Sequence, residues 1–571
     1  MKRLFFSSVL LATMLQCPSM ADNWAHWRGP TGNSVATNAQ PPVQWSDTKN
    51  VKWKVAIPGR GSGSPVIWER RVFVVTAVPF GNDTAQEMQL PESRGRPQFE
   101  DGRGGGGFRS QRRFSGGAAD RPPKMAFKIL CFHRSNGHLL WQRTPIIATP
   151  HQGMHPTNSY ASASPCTDGE HVYAHFGSRG LYGYTMDGEL RWKRDDFGQM
   201  DTRSSFGEGS SPTLEGDKIL VPWDHEGQSY LYAINKSTGE NIWKTERDEP
   251  SCWATPLVVE YNGAKQVIMN GQTCARAYDL ETGKELWRCG GQAERPVASA
   301  VAAGDLVFIG SGFRGSFLGA FRLDGRGDIE NTDHVAWALD RDTPDIASPM
   351  VSGGRLYFHK GKTGLLSCVD AATGKPHYVA ARIPGLTTTY ASPVAAGGYV
   401  LLTGRSGTTV VIEDSDQLKI VASNSVGETV DATPAPVDNE LFIRGENHLF
   451  CIAEPSVTEK VTLQARKHLF ILSGQSNMQG HRPDEAFTPT VQAAFGRENV
   501  VVVQDALGGQ PIQRWYKKWK SPNGETPETT GDLYRRGMQI KDDLHYSAEG
   551  YKIFGRRMAD AAIELIKARI K

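Results

Sequence analysis

The chain lacks an excess of either charge. Its 64 basic and 61 acidic residues leave a formal +3, so no global field draws it to nucleic acid or to an anionic membrane. Beyond the N-terminus it has no apolar run near the length of about 20 residues that a membrane span requires. It also has little cysteine, 8 in 571 residues, at positions that do not read as a disulfide framework. Glycine, proline and tryptophan are plentiful at 61, 33 and 14 residues. That composition suits many short strands joined by tight turns, and the length exceeds what one ordinary core fills. The expected class is mainly β.

Residues 1–21 read as a secretory signal: Lys2 and Arg3, an apolar run from Leu4 to Leu15, then Ser19-Met20-Ala21 with small residues at the two positions a signal peptidase reads. The expected location is therefore periplasmic or extracellular, with a soluble mature chain. A lipid anchor at Cys17 is the alternative, weakened by the large Gln16 before it. Export permits disulfides. Cys131, Cys368 and Cys451, however, occupy one repeat position, where other copies carry Ala233 and Ala277, so they are expected to be buried small apolar residues. Cys252 and Cys274 flank one predicted hairpin and could pair.

Internal repetition dominates the chain. A small residue and Pro, a few residues, a turn and an apolar strand recur at Ser64-Pro65, Ser164-Pro165, Ser211-Pro212, Thr255-Pro256, Ser299-Ala300, Ser348-Pro349, Ser392-Pro393 and Thr433-Pro434. From Pro165 onward the spacing is 41 to 49 residues, the length of one four-stranded propeller blade. Between copies lies a strand, an Asp/Thr/Gly turn and Trp, as in YAINKSTGENIW ending at Trp243 and AYDLETGKELW ending at Trp287. Looser forms end at Trp141, Trp192 and Trp337, with Tyr378 in the same slot. Gly239, Gly283 and Gly374 should supply the positive φ of a hairpin turn. The last copy lacks its Trp strand, and the segment NVKWKV has a Trp strand (Trp53) without a partner. The N-terminal segment should therefore complete the last blade.

The D-x-x-T-G-K-x-x-W and S-P phrases over residues 45–453 resemble the repeat of quinoprotein-like, pyrroloquinoline quinone (PQQ) propellers. The resemblance implies an eight-bladed β-propeller over residues 22–455. It says little of function, because one fold hosts many. Quinone dehydrogenases of this family hold PQQ with adjacent cysteines and a calcium ion bound by Glu, Asn and Asp. This chain has no Cys-Cys pair and no haem-attaching Cys-x-x-Cys-His, so neither PQQ nor calcium is expected and PQQ-dependent oxidation is the third reading of function. The first interval between copies is twice as long and contains residues 92–124, rich in Gly, Arg and Ser. This tract is expected to be a disordered loop, with an RGG-like nucleic-acid segment as the alternative. His151 and His155 stand four apart, but Gly153 and Pro156 favour a loop over a metal-binding helix. Asp224-His225-Glu226 likewise reads as a turn.

Beyond a linker at 456–466 the pattern changes. KHLFILSGQSNMQG predicts a buried strand that breaks at Gly474 and presents Ser476 near a helix start, a geometry that suits a nucleophile. A second strand, Val500 to Val503, precedes Gly508 and Gly509. KDDLHYSAEG then places Asp542 three residues before His545, ahead of an amphipathic helix. Ser476, His545 and Asp542 are the parts of a hydrolase triad. The motifs G-Q-S-N-M, G-G-x-P-I-x-x-W and D-x-L-H-Y-S resemble the SGNH hydrolases of the sialate O-acetylesterase and acetylxylan-esterase branch.

That resemblance implies a small α/β domain over 467–571, with Ser476 as nucleophile, Asp542 and His545 completing the triad, and Gly508 or Gly509 as an oxyanion donor. About 100 residues of the family pattern, with a further oxyanion block, are missing before the Asp-His motif. Two readings follow: a working or weakened carbohydrate O-acetylesterase on a propeller scaffold, or a propeller that binds protein or glycan beside a degenerate remnant. The expected partners are an acetylated carbohydrate, or a protein or glycan at the propeller face.

Overall fold

The structure is a computed structural model that describes residues 23–81, 122–455, 468–474 and 483–506, with a few positions between 556 and 563. The signal segment, most of the Gly/Arg-rich tract and the linker lie outside the described residues. The chain divides into two compact units, Met1–Glu454 and Pro455–Lys571. Among the described residues, no helix is long and apolar enough to cross a membrane.

Among the described residues the first unit contains eight sheets, each with four antiparallel strands, two of them extended by a short parallel fifth strand. Blade 1 is built from Val66–Trp68, Arg71–Pro79, Met125–His133 and Leu139–Ala148, and the blades follow one another in chain order. The exception is blade 8, whose three late strands are completed by Val51–Ala56. There Trp53 stands opposite Cys451, so the N-terminal Trp strand does close the ring and removes an exposed sheet edge.

The Trp slot has a physical basis. In each filled slot the aromatic ring lies opposite a small residue on the third strand: Cys131 with Trp141, Ala233 with Trp243, Ala277 with Trp287, Ala320 with Trp337 and Cys368 with Tyr378. Where the slot holds Trp, the indole N–H reaches a carbonyl of the next blade, except at Trp287, whose buried N–H makes no hydrogen bond. Trp53 donates to the Arg134 carbonyl at 2.7 Å, Trp141 to Met186 at 2.9 Å, Trp192 to Lys236 at 2.8 Å and Trp243 to Leu280 at 2.9 Å. The Thr-Gly turn beneath is shaped to receive it. Asp279 Oδ1 accepts from the Thr282 N–H and hydroxyl, and Gly283 follows at φ 70°, where a Cβ would lie 2.6 Å from the Trp243 ring.

The residue before each Pro closes a second, inner circle. The N–H of Ser64 donates to Ser164 Oγ (2.8 Å), Ser164 to Ser211 (2.9 Å), Ser211 to Thr255 (3.1 Å) and Thr255 to Ser299 (2.8 Å). Ser299 donates to Ser348 (2.8 Å), Ser348 to Ser392 (3.1 Å), Ser392 to Thr433 (3.1 Å), and Thr433 back to Ser64 (3.0 Å). All eight residues are buried, so each hydroxyl satisfies an N–H that water cannot reach.

Residues 23–40 fill the ring from within. Trp24 bridges Ile67 of blade 1, the Ala25 carbonyl accepts from Thr167 of blade 2, Asn33 exchanges hydrogen bonds with Ala302 of blade 5, and Val35–Ala36 pairs with blade 7. The inner edges of the first strands thereby find partners. Arg28 is fully buried among them without a carboxylate. It donates to Ser34 Oγ and to the carbonyls of Ala300 and Pro349, and burial lowers its pKa to about 9.

All the described cysteines are free thiols, which corrects the possible Cys252–Cys274 bridge. Cys252 instead points its sulfur at the Asn270 carbonyl, 3.5 Å away. Cys131, Cys368 and Cys451 are fully buried, as their repeat position implied.

In the second unit, His468–Gly474 and Val500–Ala506 form a parallel pair in continuous register, from His468 opposite Val500 to Gly474 opposite Ala506. The helix Phe487–Phe495 lies between them in sequence. Phe470, Phe487, Val491, Phe495, Val500, Ala559 and Ile563 form one apolar core, the layering expected of a strand–helix–strand unit.

Candidate functional site

The residues assigned to chemistry from the sequence, Ser476, Asp542, His545, Gly508 and Gly509, lie outside the described residues. What is described is the frame that leads to two of their motifs. The parallel strands end together at Gly474 and Ala506, and Ser476 and Gly508 each follow two positions later in the sequence. Carboxyl ends of parallel strands are where open α/β sheets present ligand-binding loops.

In the ring, the connections between blades and the turns between second and third strands share one end, the upper face. His151 and His155 both sit there, with different partners. His151 Nε2 lies 2.7 Å from the Met200 carbonyl, whereas His155 Nδ1 lies 2.8 Å from Thr157 Oγ1 and its ring packs edge-on to Phe206. They do not form a metal pair. Thr157 Oγ1 is also 3.2 Å from Tyr390 of the blade 6–7 connection, so this loop reaches across the mouth of the ring. Partial desolvation and the charges of Lys362, Arg295 and Arg405 lower the His155 pKa.

Asp224-His225-Glu226 is a turn whose members diverge. Asp224 is buried against Arg247, with Arg247 Nε at 2.8 Å and Nη2 at 3.1 Å. Burial pushes its carboxyl up to about 6 against the opposing pull of Arg247. His225 Nε2 faces the Gln228 carbonyl and Glu226 accepts from the Ser251 N–H.

The mouth does not fit a calcium-bound quinone. Four of its carboxylates are engaged by cations: Asp431 by Arg405 (2.5 Å), Asp345 by Arg295 (3.3 Å), Asp342 by Lys360 (2.6 Å) and Glu294 by Arg203 (3.2 Å). A hard divalent ion needs several free oxygen ligands. The acidic trio Asp168, Glu170 and His171 lies in a first-to-second-strand turn at the opposite face, with Asp168 held by Lys236 at 2.8 Å.

Over residues 182–403 the chain matches the family model described as outer membrane protein assembly factor BamB. Tetrathionate hydrolase of Acidithiobacillus ferrooxidans is 26% identical over 296 residues, covering 48% of this chain and 53% of that protein. The chain thus spans about half the length of the curated relative it matches. Among solved structures, BamB from Moraxella catarrhalis aligns over 57% of this chain and 90% of that chain, with 13% identity and a TM-score of 0.41. Quinohemoprotein alcohol dehydrogenase from Comamonas testosteroni aligns over 94% of this chain and 96% of its own, with 10% identity and a TM-score of 0.48. With its eight sheets and the family match inside them, the first unit is a PQQ-like eight-bladed β-propeller scaffold.

Proposed function

We propose that the protein is an exported serine esterase of the SGNH type acting on acetylated carbohydrate, with the propeller as its binding platform. The observation that carries this reading is the parallel register of His468–Gly474 with Val500–Ala506. It brings the strand before the Gly-Gln-Ser motif beside the strand before the Gly-Gly motif, and both run toward one edge. A nucleophile at a strand-to-helix turn, with backbone N–H donors from the neighbouring loop, is the arrangement acyl transfer requires.

In this reading Ser476 Oγ attacks the acetyl carbonyl while His545, oriented by Asp542, takes the hydroxyl proton. The tetrahedral oxyanion is held by the N–H of Gly508 or Gly509. Collapse breaks the ester C–O bond, and His545 returns the proton to the departing sugar hydroxyl. Water, deprotonated by His545, then releases acetate and regenerates Ser476. The shortened segment lacks one expected oxyanion donor, which lowers turnover by about 10²- to 10³-fold.

A second reading, a binding propeller with a degenerate hydrolase remnant, draws on the contrast between the ring's closed hydrogen-bond circle and the small core of the second unit. A fluorophosphonate probe separates the two. Covalent labelling of the peptide containing Ser476, lost in Ser476→Ala, is expected of the esterase; no labelling, or labelling elsewhere, would overturn it.

A further inference from the structure

Two cations of the upper mouth are held in place by a single connection. Between blades 6 and 7, the Thr389 N–H donates to the Lys362 carbonyl at 3.0 Å, and the Thr388 carbonyl accepts from the Arg405 N–H at 2.9 Å. The Arg405 guanidinium lies 4.5 Å over the ring of Tyr390, whose hydroxyl is 3.2 Å from Thr157 Oγ1. Thr157 bonds His155, His155 packs edge-on to Phe206, and Arg295 lies over Phe313 at 3.7 Å and Phe206 at 5.8 Å. Contacts thus run unbroken from Arg405 to Arg295, with His155 between them. Stacking on aromatic faces fixes the plane of each guanidinium and leaves its N–H edge for acceptors.

The ion pairs of the mouth do not use these cations up. Arg405 gives Nε and Nη2 to Asp431, and Arg295 gives only Nη2 to Asp345, at 3.4 and 3.3 Å. Nη1 of each has no protein partner among the described residues, and Arg295 Nε is unbonded as well. Lys362 is exposed and has no ion-pair partner among the described residues. His155 adds a neutral donor. Its Nδ1 accepts from the Thr157 N–H at 3.2 Å, so the proton of the neutral ring sits on Nε2, which makes no hydrogen bond. Partial desolvation and the charges of Lys362, Arg295 and Arg405 favour that neutral ring, and no carboxylate offsets them there.

We infer that the mouth binds the oxyanion group, carboxylate or sulfate, of a small acidic ligand between Lys362, Arg295 and Arg405, with His155 Nε2–H as a further donor. Hydrogen bonds from charged donors to an oxyanion are roughly twice as strong as neutral ones. A neutral ligand forgoes that gain, and a cation meets like charge. Asp431 and Asp345 do not oppose the anion as free carboxylates, because each is held on another part of its guanidinium. A guanidinium carries five N–H donors, enough for two acceptors. This assignment rests on neither Ser476 nor ester hydrolysis.

The test is calorimetric titration of the full chain with glucuronate, glucose and sodium sulfate, near neutral pH and at an ionic strength of about 20 mM, where screening is weak. Glucuronate should bind saturably and be displaced by sulfate, while glucose, the same ring without the carboxylate, should not bind. Lys362→Glu reverses an exposed, unpaired charge, so it should weaken glucuronate at least tenfold with the melting temperature nearly unchanged. Lys375→Glu makes the same change of net charge in the exposed Thr-Gly turn of the same blade, at the opposite face, and should leave affinity as it is. Ser476→Ala should bind as the parent does, whether or not the parent releases acetate. No saturable binding of glucuronate up to about 10 mM, no displacement by sulfate, glucose binding as tightly as glucuronate, or equal affinities in Lys362→Glu and Lys375→Glu would overturn the assignment.

Discussion

The Thr433 N–H donates to Ser64 Oγ across 3.0 Å, joining residues 369 positions apart. This bond closes a circle of eight, in which a hydroxyl before each Pro or Ala accepts from the preceding blade. Ser64→Ala removes the acceptor and leaves a buried N–H unpaired, at a cost of about 1–3 kcal/mol. Urea unfolding should show that loss, and Ser64→Thr should restore most of it because Thr fills the same position at 255 and 433.

The repeat was legible in the sequence because each of its devices is local. Asp, Thr and Gly of one turn lie within five residues, and the Trp follows four after the Gly, so Trp243 and Trp287 could be read with their turns. Even the closure through Trp53 could be read, since a strand without a partner and a blade without its last strand imply each other. What could not be read is convergence from distant segments. Residues 23–40 carry no repeat, yet they thread the ring and pair with several first strands. Glu208 and Gly177 meet for reasons of shape alone. His151 stood out in sequence, but it bonds a backbone carbonyl, while the buried imidazoles without a hydrogen bond of good geometry are His175 and His359, both hidden in strands that read as core. Ser476, Asp542 and His545 were named from motifs and lie outside the described residues, so the site's assignment rests on those motifs and on the paired strands.

Acid should destabilise the ring through its buried imidazoles. His175 and His359 are both buried without good hydrogen bonds, and burial lowers each pKa from 6.5 to about 4. The unfolded chain therefore binds protons that the folded chain refuses between those values. Stability is fully present above about pH 6.5 and falls as pH drops toward 4, by on the order of 2–3 kcal/mol per imidazole. His359→Leu should flatten this pH dependence in urea titrations at pH 7 and pH 5; an unchanged slope would rule out His359 as a source.

Quinone chemistry should not appear on reconstitution. The mouth carboxylates Asp431, Asp345 and Asp342 are each held by a cation within 3.3 Å, which leaves calcium without a free ligand set. Dye reduction with alcohols or sugars, measured after adding PQQ and calcium, is expected to stay at the level of the protein without them. Activity that appears on addition would show that these ion pairs open.

The central claim, that the chemistry belongs to the appended unit and not to the ring, is tested most directly by acetate release. The full chain should liberate acetate from acetylated xylan or p-nitrophenyl acetate, and Ser476→Ala and His545→Ala should each bring that rate down to the uncatalysed background. Equal rates for the parent and Ser476→Ala would contradict the account.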